Sequence, residues 1–468
     1  MKRSLTVFTL AMINVAALGS VKNWPTTAEF GFSSVFFFLL ATLIFFIPTA
    51  LVSAELATGW PKLGGVFVWV KEAFGHRLGF LAVWLLWIEN VIWYPTILSF
   101  IAGSCAYVFS PSLADNKWYL TAVIMIVFWG VTFLNLLGMR IYGWISSIGV
   151  IGGTLIPGLL IIILGIVWFF SGSPLQISFT WSSFVPNMSS PEQLVFFTGI
   201  LLSLCGMEMS AIHAKDVQRP QTDYPKAILS SGLIIFFFTI LGVLTIASIV
   251  PQKEISLNTG ALQALELFLN AYNLKSLMPF IAILVTIGAI GSLSAWIAGP
   301  SRGLLAAAQT GDLPHLFRKV NQNDMPTALL IGQAVIVSIL SFMFVFMPTV
   351  NSAFWILTVM VAQVYLVMYL LMFAAAIKLR YKKPNVPRPY KVPGGKAGMW
   401  IVSSLGFLSS LFAMVIGFFP PAQITTGNTF FYIAFLVLGM VVICLAPSLI
   451  LCFKKKSWDK ALPHERRD

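Results

Sequence analysis

Charge is what this sequence has least of. Only 10% of its 468 residues are Asp, Glu, Lys or Arg, while 58% are hydrophobic, and so few charged groups cannot cover a soluble globule of this size. The solvent for such a chain is lipid. Acidic residues are the scarcer sign, 16 against 29 basic ones, for a net charge of +13. The basic residues cluster in short loops between apolar runs, a pattern that speaks for membrane topology and against nucleic acid as a partner. Histidine and cysteine are equally sparse. His76, His213, His315 and His464 fall at run ends or in loops without ligand spacing, and Cys105, Cys205, Cys444 and Cys452 lie in or at the ends of apolar runs. No metal centre, cofactor or nucleophile–base cluster is expected from these, and hence no enzyme; the thiols should be free and reduced. Met1-Lys2-Arg3 leads into an apolar stretch reaching about Val21 with no A-x-A-type cleavage site, so this stretch is expected to be a retained first span.

A helix crossing the hydrocarbon needs roughly 20 apolar residues. Twelve uncharged runs of about that length occur, at approximately 5–26, 32–57, 79–109, 118–138, 143–170, 193–213, 227–250, 276–299, 327–346, 353–378, 399–419 and 429–453. Turn chemistry separates two pairs of them, Met347-Pro348-Thr349 and Phe419-Pro420-Pro421. With an even number of spans both termini share a side. Placing them in the cytoplasm leaves only Lys22, Lys117, Lys253 and Lys275 outside among the 29 lysines and arginines, which is the asymmetry of a protein integral to the inner or plasma membrane. The tail 454–468 then reads as a short basic cytoplasmic segment in reach of anionic lipid.

Two runs carry helix-weakening residues near their middle. Asn14-Val15-Ala16-Ala17-Leu18-Gly19-Ser20 interrupts the first, and Ser203-Leu204-Cys205-Gly206-Met207-Glu208 the sixth, with a glycine beside a carboxylate. Small residues also serve plain close packing. Paired in the first and sixth runs, however, they are the pointer to an inverted-repeat transporter whose site lies at the breaks, where freed backbone N–H groups hold a carboxylate and freed carbonyls an ammonium or cation.

The strings Ser53-Ala54-Glu55-Leu56-Ala57-Thr58, Gly64-Gly65-Val66-Phe67-Val68-Trp69-Val70, Gly206-Met207-Glu208-Met209-Ser210-Ala211 and Gly299-Pro300-Ser301-Arg302-Gly303 with Gly311-Asp312-Leu313-Pro314 resemble those of the amino acid–polyamine–organocation transporters, and within them the glutamate:GABA antiporter branch. The resemblance implies an all-α membrane protein of 12 transmembrane helices with a LeuT-type 5+5 inverted repeat. Its first repeat would be 1–170, its second 193–378, and two further helices would occupy 399–453. It implies secondary active transport of amino acids or related amines, by exchange or proton-coupled symport. A polyamine or cationic-amine permease is the alternative, and a channel or a non-transporting membrane sensor a more distant one. It places the substrate's carboxylate and amine at Asn14, Ala16, Ala17, Leu18, Gly19 and Ser20 and at Cys205, Gly206, Met207 and Glu208. It also matches Tyr365 and Tyr369 to two tyrosines that line the path, and Trp296 to an aromatic of the eighth span. Without the resemblance, Tyr365 and Tyr369 are an i, i+4 aromatic pair that packing alone would explain.

The chain also departs from that branch: Ser292 stands where an acidic residue precedes the matched tryptophan, and Lys22-Asn23-Trp24 replaces aromatic and acidic residues. With the Ser292 and Ser294 hydroxyls present and no lysine in the fifth run, H+ and Na+ both stay open as coupling ions. Three acidic residues fall within or at the ends of the runs, Glu55, Glu89 and Glu208, and carboxylates at such depth mark gating, proton or substrate sites unless a partner neutralises them. A loop salt bridge is the plainer role for Glu55. Glu89, beside Asn90, has no basic residue near mid-span in the sequence, so a proton, a cation or a substrate ammonium is its expected partner. Arg302 is expected to open a short cytoplasmic helix.

Overall fold

The computed structural model describes residues 6–61, 64–137, 155–186, 191–208, 219–309, 311–455 and 458. Among the described residues the secondary structure is entirely helical. In lipid this follows from hydrogen bonding, since a helix satisfies its own backbone polar groups where no water can. Nine helices among the described residues are long and apolar enough to cross a bilayer: Ser33–Gly59, His76–Phe109, Lys117–Leu136, Pro225–Ile249, Lys275–Ser294, Thr327–Phe346, Val350–Lys382, Gly395–Ile416 and Thr429–Cys452. The first, fifth and sixth apolar runs are not among them. The first is broken, the fifth is described only from residue 155 as Ile156–Phe170, and the sixth only as far as Glu208. Residues 143–154 and 209–213 of those runs lie outside the described residues, as do Arg140, Lys62, His213 and most of the basic tail.

Burial sorts the long helices into layers. The apolar windows of His76–Phe109 and Val350–Lys382 are each 83% buried, against 17% for Thr429–Cys452, so the first two form the centre and the last faces lipid. His76–Phe109 packs most extensively on Met278–Gln309 and also on Val350–Lys382. Outward-facing Leu, Ile, Val and Phe such as Leu229, Phe237, Leu438 and Val442 need no aqueous cover in this solvent.

Local irregularities have identifiable causes. Pro48 cannot donate to the carbonyl of Ile44, and Ser33–Gly59 widens there into a π-helical turn, Thr42–Phe46. The carbonyl of Ile44 is taken instead by Ser409 Oγ at 3.0 Å. Trp24 is fully buried because Gly242 leaves room for it: a Cβ there would lie 2.2 Å from the indole. Contrary to the expectation for Arg302, no separate helix begins at it. It sits inside the 32-residue helix Met278–Gln309, which absorbs Pro300, and its guanidinium reaches Met325 Sδ. Two amphipathic helices, Val66–Phe74 and Gly260–Ala271, were too short to register as runs.

At one end of the bundle Glu55 is enclosed by basic partners. Arg380 Nε donates to it at 2.6 Å and a second guanidinium nitrogen to its other oxygen, Val392 N donates at 2.8 Å, and Arg388 lies at 3.5 Å. Glu55 is 1% exposed, so this cluster ties the end of the second span to the tenth and to the loop after it. Glu55 therefore makes a salt bridge, to Arg380 of helix Val350–Lys382 and to Arg388 of the loop after it. Burial pushes the Arg388 guanidinium down from its ordinary value, and Glu55 opposes that shift.

Candidate functional site

The site starts from two places where helices stop. Helix Val7–Leu18 ends as Gly19 N closes on Val15 O at 2.7 Å. Ser20 is extended, and the chain resumes as a 3-10 turn, Val21–Asn23, and a short helix, Trp24–Ala28. The second stop follows helix Phe196–Ser203. Leu204 N and Cys205 N tighten onto the carbonyls of Leu201 and Leu202, and Gly206 then turns with φ +115°, a left-handed conformation that glycine alone adopts readily. Its N–H leaves the ladder and donates to Tyr369 Oη at 2.8 Å.

Between these breaks and the central helix lies a cavity of about 90 Å³, sized for a small molecule and not for a peptide. It is lined by Gly19, Ser20 and Asn23 from the first break, by Leu202, Ser203 and Cys205 from the second, by Glu89, Asn90, Trp93 and Ile97 from the third span, and by Ser292, Trp296, Val361 and Tyr365. Glu89, Trp93 and Ile97 recur at i, i+4 and i+8, one face of one helix. Asn90 Nδ2 donates both to Glu89 Oε1 and to Leu86 O, so the Glu89 carboxylate is held in place with oxygen capacity left over. Trp93 and Trp296 form a tilted pair with centroids 6.0 Å apart, and Tyr94 Oη anchors the carbonyl of Trp296 at 2.9 Å.

The other expected residues fall behind this wall. Glu208 does not line the cavity. Its two oxygens accept from Tyr365 Oη at 2.5 Å and from Tyr369 Oη, and both rings come from Val350–Lys382. Tyr365 therefore touches the cavity and Glu208 at once, whereas Tyr369, fully buried, braces Gly206 and Glu208 from behind. Met207 is likewise buried. Asn14 turns away and donates to Ser231 Oγ at 3.1 Å. Ala16, Ala17 and Leu18 belong to the helix before the first break, but their side chains lie outside the described residues. Of the cavity lining, Asn23, Asn90, Trp93, Ile97, Leu202, Ser203 and Val361 were not among the expected site residues. Trp93 could have been, one helical turn beyond Glu89. Lys22, counted among the outer loop charges, is 3% exposed and stands beside the cavity.

The arrangement is a small cavity walled by apolar and aromatic side chains, with one carboxylate and a few hydroxyls beside two chain breaks, which suits a small solute bearing an amine. Among the described residues no group of His, Cys, Asp and Glu could hold a metal ion. Residues 4–443 match the sequence model of a family described as amino acid permease.

The chain belongs to the amino acid permease family. It is similar along its length to transporters. An uncharacterized transporter of Legionella pneumophila is 45% identical over 99% of both chains. A glutamate/gamma-aminobutyrate antiporter of Lactococcus lactis is 33% identical over 96% of this chain and 90% of its own. A probable agmatine/putrescine antiporter of the same species is 23% identical over 94% and 95%. This permease is therefore an integral membrane transporter of amino acids or amines and not an enzyme.

Proposed function

We propose that this permease is a secondary active transporter that binds an amino acid or a related amine in the cavity between its two broken helices. The observation that carries this reading is the convergence of both breaks, Glu89 and three aromatic side chains on one cavity. The substrate's ammonium pairs with Glu89, whose carboxylate would otherwise be buried without a counter-charge, and the backbone at Gly19 and Ser20 receives the polar group at the other end. Trp93, Trp296 and Tyr365 cover the apolar stem.

In this reading the fold is the LeuT-type 5+5 inverted repeat of 12 spans, with repeats 1–170 and 193–378, both termini cytoplasmic, in the inner or plasma membrane. The stops after Leu18 and after Ser203 are what supports discontinuous first and sixth helices in such a repeat. Glu208 acts as a gate element. The second break is held to the tenth helix through Tyr365 and Tyr369, and because Tyr365 also lines the cavity, occupancy is transmitted to that tie. Alternating access then exchanges the lock at Glu208 for one on the opposite side, with H+ or Na+ as the coupling ion or a second substrate as the exchanged one.

The test is a panel of labelled amino acids and polyamines offered to proteoliposomes with and without internal substrate and a pH or sodium gradient. Saturable uptake accelerated by internal substrate supports exchange. Uptake that follows a gradient in empty vesicles supports symport. Non-saturating flux would make the protein a channel, and binding without flux a sensor.

A further inference from the structure

Lys22 is a buried lysine with no acidic partner among the described residues. It emerges from the 3-10 turn Val21–Asn23, between Ser20 and Asn23, both of which line the cavity. Its Nζ donates to Thr96 Oγ1 at 2.9 Å and stands 5.0 Å from the ring centroid of Trp93 and 5.4 Å from that of Phe354. Among the described residues no carboxylate lies within ion-pair distance of it. One hydroxyl and two ring faces replace only part of the hydration that an ammonium loses on burial, and among the described residues one of its three N–H donors has a hydrogen-bond partner.

The opposite charge lies further along the same wall. Glu89 and Thr96 are seven residues apart on helix His76–Phe109, hence roughly 10 Å along its axis, with Trp93 between them facing the cavity. The cavity is thus strung between a carboxylate at one end and an ammonium just behind the wall at the other. A buried charge acts on a neighbouring cavity without touching its contents, because little water intervenes to screen it.

We propose that Lys22 is the specificity-determining charge of the site: it admits amines that carry an anionic group at the end remote from the ammonium and excludes those that carry a second cation. The proposal rests on the substrate cavity assigned above and narrows the chemistry of what enters it. A solute with an ammonium and a carboxylate separated by three or four carbons satisfies Glu89 and Lys22 together. A diamine of the same length satisfies Glu89 and brings its second ammonium up against Lys22. The side of the substrate that faces Lys22, and not the amine end, therefore separates amino acids from polyamines here.

The experiment uses the full-length protein in proteoliposomes and two matched pairs, 4-aminobutyrate against 1,4-diaminobutane and glutamate against glutamine, measured as KM and maximal rate for the wild type, Lys22→Met and Lys22→Arg. The wild type should favour the carboxylate-bearing member of each pair. Lys22→Met should narrow that preference at least tenfold, mainly through KM, whereas Lys22→Arg keeps the charge and should keep the ranking even where the rate falls. A structural role would lower all four uptakes together and leave the ratios unmoved. The inference is overturned by unchanged ratios in Lys22→Met, or by a wild type that favours the diamine, a result that needs no variant; in both cases the transporter reading stands. A wild type showing no saturable uptake of any of the four overturns this inference, and the transporter reading falls with it only if the wider panel of amino acids and polyamines also shows no uptake.

Discussion

Replacing Tyr369 by phenylalanine removes one oxygen atom from a place where water cannot take over its work. The hydroxyl accepts from Gly206 N at 2.8 Å, donates to Glu208, and belongs to a ring that is 0% exposed. Its loss takes the 2.8 Å partner from a buried amide N–H and leaves one oxygen of a buried carboxylate with a partner fewer. An orphaned buried donor costs about 1–3 kcal/mol and a bond to a charged group contributes about 1.5–3 kcal/mol. The two share one atom and do not add in full, so a loss of about 2–4 kcal/mol is expected. Tyr365→Phe removes a single bond, at 2.5 Å, from Glu208 and should cost about 1.5–3 kcal/mol. Because Tyr365 lines the cavity and Tyr369 does not, the two variants should separate in function. Tyr369→Phe lowers thermal stability and maximal rate with KM little changed, and Tyr365→Phe raises KM as well. Unfolding of the purified proteins in detergent and uptake kinetics in proteoliposomes read both effects. A Tyr369→Phe protein as stable and as fast as the wild type would refute the argument that this hydroxyl braces the second break.

Three further outcomes follow from charges outside the cavity. Glu55→Gln leaves Arg380 and Arg388 facing each other without their shared carboxylate, and breaking a buried pair in this way should lower stability by about 3–5 kcal/mol; a melting profile equal to the wild type's would contradict it. Glu29, in the turn before Ser33–Gly59, is buried, and burial pushes its carboxyl up to about 8 from an ordinary 4.5. The folded state holds this proton more tightly than the unfolded one, so its contribution to stability is full below about pH 4.5 and is lost as the pH rises through 8; Glu29→Gln should flatten that part of the stability profile, and an unaltered slope would speak against it. Single cysteines in the 380–396 loop should react with an impermeant reagent only from the cytoplasmic side of intact cells, and labelling from outside would reverse the topology.

The sequence was most legible where physics repeats itself. Long apolar runs among the described residues are helical, and the turn residues at Pro348 and Pro420 separate the ninth from the tenth and the eleventh from the twelfth apolar run where expected. Both weakened stretches are interrupted, at Gly19 and at Gly206, because glycine and small residues hold a helix least firmly. What the sequence could not carry was direction. Asn14 and Ser20 lie in the same weakened stretch, but only Ser20 meets the cavity, since the helix before the break turns Asn14 toward Ser231. Tyr365 and Tyr369 look alike as an i, i+4 pair, but the second is spent on Gly206. Lys22 counted as one loop charge among four, and only the packing of the first break against the third and tenth helices buries it.

The central claim is that the cavity between the two breaks is where substrate sits, and the chain supplies its own probe in Cys205, a free thiol that lines it. In a protein in which Cys105, Cys444 and Cys452 are replaced by serine, a small membrane-permeant thiol reagent should modify Cys205 and stop transport, and saturating substrate should slow that modification several-fold. Complete modification of Cys205 with transport intact, or a rate that substrate does not alter, would contradict the account.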